Sequence, residues 1–255
     1  MTDPAAKASR ASRHTLRLEV VIVLTVTFGL SGVTAVLQLV DSVLRTLSKQ
    51  TIPLIPRRSY FDLVDLGLNL ASIAQLLAWG ALGLYLLSRS GFGPRDIGLG
   101  RPRAKPDVLG GIGLAALIGI PGLGLYVLAR VIGLSASVVP TTLTDTWWRI
   151  PVLILAAFAN AWAEEVIVVG YLLTRLRQLG AGGTRALVFS SVLRGVYHLY
   201  QGFSAGLGNF AMGVVFCVVW RRSGRLWPLI VAHGLIDTVA FVGYALLAGH
   251  LGWLR

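Results

Sequence analysis

Charged residues are scarce in this chain of 255 residues, and acidic residues are the scarcest. Only 13% of the residues are charged, with 11 Asp and Glu against 23 Lys and Arg, whereas soluble domains contain about 25%. Hydrophobic residues make up 55%, and the mean hydropathy is +0.73. These values exclude an ordinary soluble domain and predict an all-α, polytopic transmembrane bundle of about seven to eight helices.

Cysteine is nearly absent, because Cys217 is the only one in the sequence. An intrachain disulfide and a CxxC metal or redox motif are therefore excluded. The net charge of +12 would suggest nucleic acid as a partner if the protein were soluble. Here the basic residues cluster at the ends of hydrophobic segments, which is typical of cytoplasmic loops beside anionic lipids. We therefore expect anionic lipids, and no nucleic acid, among the partners.

The hydropathy pattern predicts seven helices in one transmembrane domain at 18–255, after a polar basic cytoplasmic tail at 1–17. The apolar run after this tail is too long for the core of a signal peptide, so we expect a membrane anchor. The helices are predicted at 18–40, 62–88, 108–133, 147–174, 185–202, 207–220 and 226–249.

The basic residues predict an orientation in the membrane. If all seven helices span, four basic clusters fall on one side, at 7–17, 89–105, 175–185 and 221–225. This places the N-terminus on the cytoplasmic side of a cell membrane. Only three of the 23 basic residues are lysines, and such an excess of arginine is typical of a GC-rich, bacterial genome. The basic segment 45–58 does not fit this orientation, because it would lie on the outer side of the membrane. Either it lies flat in the interface, or the first helix does not span.

Two adjacent acids, Glu164 and Glu165, lie inside the otherwise apolar segment 148–173. A carboxylate at membrane depth is costly unless it is paired, solvated or protonated, so it indicates function. Neighbouring helical residues point about 100° apart, so one acid can react while the other holds a partner. Asn160 is four residues before Glu164, and we expect it to hydrogen-bond that glutamate. The alternative is a carboxylate pair that serves only packing.

Two later hydrophobic segments carry further titratable residues. His198 follows Arg194 by one helical turn, and His233 precedes Asp237 by one turn. From the predicted cytoplasmic ends, Glu165, His198, His233 and Asp237 all lie about 12–20 Å deep at 1.5 Å per residue. Each histidine alone is also consistent with a packed core residue. Their common depth predicts a single proton-transfer site.

A metal site has to be weighed against this interpretation. Two glutamates and two histidines can bind zinc in principle. The sequence has no HExxH motif and no cysteine set. We therefore expect a site without metal or other cofactor, and zinc remains the alternative.

Three motifs in these segments resemble the CPBP intramembrane peptidase family, which includes CAAX prenyl endopeptidases and bacterial proteins linked to bacteriocin processing and self-immunity. The resemblance covers about 147–240, and the motifs are EEVIVVG at 164–170, RGVYH at 194–198 and HGLID at 233–237. Two positions depart from the family pattern. Val169 stands where the family has arginine, and Arg194 stands where it has an aromatic residue. We expect Arg194 to pair with Glu165 or Glu164 and to replace the missing arginine in space.

The resemblance implies a catalytic set of Glu164, Glu165, His198, His233 and Asp237, with Arg194 and Asn160 in support. In the family the first glutamate and the second motif's histidine activate a water, while the third motif's histidine stabilises the oxyanion. It also implies an intramembrane endopeptidase acting on a membrane-embedded or lipid-modified peptide. Two alternatives stay open, namely a catalytically degenerate immunity or scaffold protein on the same fold and a proton-coupled transporter.

Overall fold

Helices form most of the chain, as the composition predicted. The computed structural model describes residues 4–143 and 145–247, with side chains from residue 12 onward, and 79% of it is helical. Much of the predicted tail at 1–17 belongs to the first helix, which begins at Pro4. The predicted last two residues of the final helix, 248 and 249, lie outside the described residues. The assignment of one domain at 18–255 stays a prediction.

Nine α-helical segments follow one another along the described chain. They are α1 Pro4–Leu24, α2 Leu30–Leu44, α3 Asp62–Ser88, α4 Ala104–Val131, α5 Arg149–Glu164, α6 Leu172–Gln178, α7 Gly183–Tyr197, α8 Phe203–Ser223 and α9 Trp227–Leu247. The π-helical segments Thr25–Gly29 and Glu165–Tyr171 join α1 to α2 and α5 to α6. The nine segments therefore form seven continuous helices, the number that hydropathy predicted.

Six of these helices are long and apolar enough to cross a membrane, so the protein is a multi-pass membrane protein. The exception is α7, which has 15 residues. It rises about 22 Å at 1.5 Å per residue, less than the roughly 30 Å hydrocarbon core of a bilayer. The helix predicted at 185–202 stops early because the chain tightens into a 3₁₀ turn, Leu199–Gln201, and α7 packs along α8 instead.

A short parallel strand pair, which the sequence did not predict, marks one end of the bundle. Strand β1, Thr51–Ile55, pairs with β2, Ser137–Thr141, with Thr51 opposite Ser137. We call this the strand end, where α2, α4 and α7 finish and α3, α5 and α8 begin. The basic segment 45–58 contains β1 and a 3₁₀ turn, Leu47–Lys49, so it folds over this end of the bundle.

The opposite end carries the four basic clusters, and we call it the basic end. There the Arg225 guanidinium binds both oxygens of Asp107 and ties the loop before α9 to the start of α4. This hydrogen bonding raises the pKa of Arg225 above its ordinary value. The Trp220 indole donates to the Ile97 carbonyl at 2.9 Å. The basic end is therefore closed by side chains that bridge the loops.

A layer of buried, mainly apolar side chains separates the basic end from the middle of the bundle. The side chains of 166–169 and Tyr171 are fully buried, in one core cluster with Ile97 and Leu226. Gly170 leaves room for that contact, because a Cβ there would lie 3.1 Å from Ile97. Any group on the strand side of this layer is reached from the strand end or laterally, between helices.

Candidate active site

The two glutamates lie where α5 passes into the π-helical segment Glu165–Tyr171. Both side chains are buried, with Glu164 3% exposed and Glu165 0% exposed. A π segment widens the helix by one residue per turn and often occurs at functional sites. The pattern of apolar residues gave no signal for it. It follows Glu164 directly, so the two acids stand at a change in helical geometry.

Glu165 is held by a guanidinium and an imidazole. Its Oε1 accepts a hydrogen bond from Nη2 of Arg194 at 2.6 Å and lies 2.7 Å from Nδ1 of His233. Arg194 is fully buried, and its guanidinium stacks on the ring of Phe216 at 5.4 Å. The predicted pairing of Arg194 with Glu165 is confirmed. This arginine therefore supplies from α7 the positive charge that Val169 does not.

Glu164 faces a different partner. The hydroxyl of Tyr197 donates to its Oε2 at 2.6 Å, and Nη2 of Arg194 lies 4.0 Å from the same oxygen. Sequence reasoning did not single out Tyr197 as a site residue. The available signal was its position directly before His198, since a residue at the end of α7 reaches the same layer. Glu164 is thus fixed through one oxygen, and its Oε1 carries no described hydrogen bond.

Asn160 does not bind Glu164, and that prediction was wrong. Its Nδ2 donates to Oδ2 of Asp237 at 3.0 Å and lies 3.5 Å from Nε2 of His233. The reason is the close approach of α9 to α5, where Gly234 packs directly on the ring of Phe158. This contact places the Asp237 carboxylate within reach of the amide, so Asn160 supports the third motif rather than the first.

His233 lies between two carboxylates. Its Nδ1 faces Glu165, and its Nε2 lies 3.5 Å from Oδ2 of Asp237. Both ring nitrogens can donate at once only when the imidazole is protonated. The contact to Asp237 is long for a hydrogen bond, so Nε2 keeps the freedom to donate to a ligand in the cavity.

His198 has an arrangement suited to a base. Its Nδ1 lies 2.9 Å from the backbone carbonyl of Arg194. A carbonyl only accepts, so Nδ1 carries the hydrogen and Nε2 keeps a lone pair. The ring tilts against Tyr197 with the two centroids 4.7 Å apart. The tyrosine that holds Glu164 therefore also packs against the imidazole.

These groups line one large, mostly apolar cavity. It has a volume of about 1420 Å³, and Glu164, His198, His233 and Asp237 contribute to its wall. Glu165 lies behind the wall and contacts it through His233. The structure thus brings all five predicted residues into one layer, four of them on the cavity. From this layer the cavity extends to the strand end, where Ile55 and Val138 line it.

The donor atoms fit a metal ion poorly. Single oxygens or nitrogens of Glu164, Glu165 and His233 come within 4.8 Å of one another, which is the spacing of a metal site. However, the Arg194 guanidinium lies 2.6 Å from Glu165 and 4.0 Å from Glu164. A divalent cation on these carboxylates would be repelled by this buried charge. The arrangement instead favours proton transfer and hydrogen bonding.

We predict that Tyr197 positions Glu164, and that this role is separable from lining the cavity. Tyr197→Phe removes the hydroxyl that fixes Oε2 while it keeps the stacking with Phe28 at 4.9 Å. If Glu164 serves as the base of a hydrolytic reaction, kcat should fall about tenfold with little change in KM, because that base is misoriented while the cavity wall is intact. Tyr200→Phe is the matched control, since Tyr200 also lines the cavity. An equal effect of both changes on kcat would contradict the assignment.

Comparison with known proteins adds one match. Residues 146–239 match the family model described as type II CAAX prenyl endopeptidase Rce1-like. This segment runs from the start of α5 into α9 and contains all seven predicted site and supporting residues. No curated protein and no solved structure matches the chain.

Proposed function

We propose that this chain, which over residues 146–239 belongs to the Rce1-like family of type II CAAX prenyl endopeptidases, is an intramembrane endopeptidase. The observation that carries the proposal is the geometry around Glu164. One of its oxygens is held by Tyr197, and it shares a cavity wall with His198, whose Nε2 keeps a lone pair. A water between these two groups has an acceptor for its proton and a second acceptor to orient it.

In the proposed first step, this water attacks the carbonyl carbon of a peptide bond. Glu164 takes the proton from the water as the C–O bond forms, with His198 orienting the water. The carbonyl π electrons move to the oxygen and produce an oxyanion. His233 donates to that oxygen through Nε2, which supplies electrostatic stabilisation inside a mostly apolar cavity. Asp237 and Asn160 lie beside this same nitrogen, while Glu165 holds the imidazole at Nδ1 on the far side of the ring.

In the second step the tetrahedral intermediate collapses. The C–N bond breaks, the C=O bond re-forms, and Glu164 gives its proton to the leaving amine. Glu165 does not touch the reacting atoms in this scheme. It holds His233 at Nδ1, and its own charge is offset by Arg194. Glu165 and Arg194 are therefore positioning residues, and no metal is needed for any step.

The proposed substrate is a membrane-embedded or lipid-modified peptide. The cavity lies within a multi-pass bundle, and apolar residues such as Ile73, Ile118 and Phe241 form most of its wall. We also propose a cell-membrane location with the N-terminus in the cytoplasm, because the four clusters at the basic end follow the positive-inside rule. Anionic lipids are the partners that these clusters would attract.

A second candidate is a catalytically degenerate interaction or immunity protein on the same fold. The observation in its favour is Val169, which is fully buried and apolar where the family has an arginine. A proton-coupled transporter is the third candidate, and it would use the same buried acids and histidines.

A comparison of membrane peptides separates these functions. Cells carrying the wild type should contain cleaved peptides that are missing from cells carrying Glu164→Gln, because Gln cannot take a proton from water. Both proteins should be present at equal levels in the membrane. Identical peptide profiles, together with a phenotype that Glu164→Gln still rescues, would show action by binding rather than by hydrolysis. Chelation of divalent ions should leave the wild-type profile unchanged.

A further inference from the structure

The cavity has a positively charged residue at its strand end. Arg58 lines it there, just before α3, and its side chain is exposed. Among the cavity-lining residues that the structure describes, Arg58 is the one arginine or lysine. The acids Glu164 and Asp237 lie at the other end. The cavity therefore has a negative inner end and a positive outer end.

The position of Arg58 is fixed by α3. Its backbone N–H donates to Oδ1 of the buried Asp65 at 2.8 Å, and Nη1 of its guanidinium donates to the Ser72 hydroxyl at 3.0 Å. In the described ranges 4–143 and 145–247, no carboxylate forms an ion pair with this guanidinium. A guanidinium presents five N–H donors in a fork that matches a carboxylate. Most of that fork is available to a ligand.

The distance from Arg58 to the glutamates suits a short peptide. Helices α3 and α5 both start at the strand end, and Gly80 of α3 packs directly on the indole of Trp162, two residues before Glu164. Ser72 is eight residues before Gly80, which corresponds to about 12 Å along the helix axis. Glu164 lies two residues beyond Trp162, so the Arg58 guanidinium, which binds Ser72, lies about 15 Å from Glu164 along the helix axis, toward the strand end.

We infer that Arg58 binds a carboxylate of the peptide substrate and so sets the direction in which the peptide lies in the cavity. This assignment rests on the proposed peptidase function. Glu164 and Asp237 repel a carboxylate from the inner end, and Arg58 attracts it to the outer end. The peptide bond that meets Glu164 then lies on the N-terminal side of the bound carboxylate. The carboxylate is either the chain end or an acidic side chain close to it.

Binding to an inactive protein tests this assignment without any need for cleavage. The protein is Glu164→Gln in nanodiscs of neutral phosphatidylcholine. The probes are one fluorescent, alkyl-anchored apolar peptide made with a free C-terminal carboxylate, with a C-terminal amide, or with the amide and a terminal glutamate. We expect the free carboxylate to bind at least about tenfold more tightly than the amide, which is the lower end of the range for a hydrogen bond to a charged group. The glutamate probe shows whether a side-chain carboxylate also serves.

Arg58→Gln in the same protein should remove this preference, and Arg58→Lys should keep most of it. Arg45→Gln is the matched control, because Arg45 also lies near the strand end but pairs with Asp41 and does not line the cavity. A preference that survives Arg58→Gln would overturn the assignment, as would a preference that Arg58→Gln reduces only when anionic phosphatidylglycerol is present. If the wild type cleaves the carboxylate and amide peptides equally, the assignment fails while the peptidase function stands.

Discussion

Glu164→Gln is expected to lower kcat of the purified protein by about 10³-fold, within the range typical of a lost general base. The carboxamide keeps the shape of the side chain and still accepts the hydrogen bond from Tyr197. It cannot accept the proton of the attacking water, so the first chemical step is the one affected. KM should change little, because the cavity wall keeps its shape. The measurement is single-turnover cleavage of a peptide that is cleaved in cells carrying the wild type but not in cells carrying Glu164→Gln.

Asp62→Asn is the matched control for this acid-to-amide change. Asp62 lies at the start of α3, pairs with Arg57 at 3.0 Å and is 56% exposed. Its replacement should leave kcat unchanged. A residual rate in Glu164→Gln above about a tenth of the wild-type rate would assign the base to another group. His198 would be the next candidate, because its Nε2 has a lone pair.

Arg194→Leu is expected to destabilise the folded protein by about 3–5 kcal/mol, the usual effect of breaking a buried ion pair from one side. Without Arg194, the buried Glu165 keeps only His233 as a partner. The same reasoning predicts that Glu165→Gln lowers stability more than Glu164→Gln does. Unfolding of the purified protein in mild detergent, followed by circular dichroism against added denaturing detergent, measures these differences.

The double variant Arg194→Leu with Glu165→Gln provides the internal test. It removes both charges together, so it should be more stable than Arg194→Leu alone. Arg45→Leu, which breaks an exposed pair at 3.1 Å, should change stability by less than about 1 kcal/mol. If Arg194→Leu were as stable as Arg45→Leu, Arg194 would not be the replacement for the arginine missing at Val169.

The sequence predicted the parts of the site that depend on helix periodicity. Residues on α5, α7 and α9 reach one layer because each helix rises by a fixed distance per residue. The Arg194–Glu165 pair followed from the same argument, since a buried arginine needs a carboxylate at its own depth. The number of continuous helices also followed from hydropathy.

Other features depend on tertiary contacts that periodicity does not encode. The prediction that Asn160 binds Glu164 was wrong, because the packing of Gly234 on Phe158 decides which helix face meets Asp237. The hydroxyl of Tyr197 meets Glu164 only once α7 packs beside the π-helical segment that follows Glu164. Strands β1 and β2 pair segments more than 80 residues apart, and each contains a proline that argues against a strand. The π segment after Glu164 likewise has no local signature.

Hydrolysis in ¹⁸O-labelled water tests the central claim most directly. Purified wild-type protein in vesicles, treated with a chelator and given a peptide identified in the cellular comparison, should release a fragment whose new C-terminal carboxyl carries one ¹⁸O atom. Glu164→Gln should release less than about a hundredth as much in the same time. A wild-type protein that yields no labelled fragment, or a Glu164→Gln protein that yields an equal amount, would contradict hydrolysis by a water that Glu164 activates.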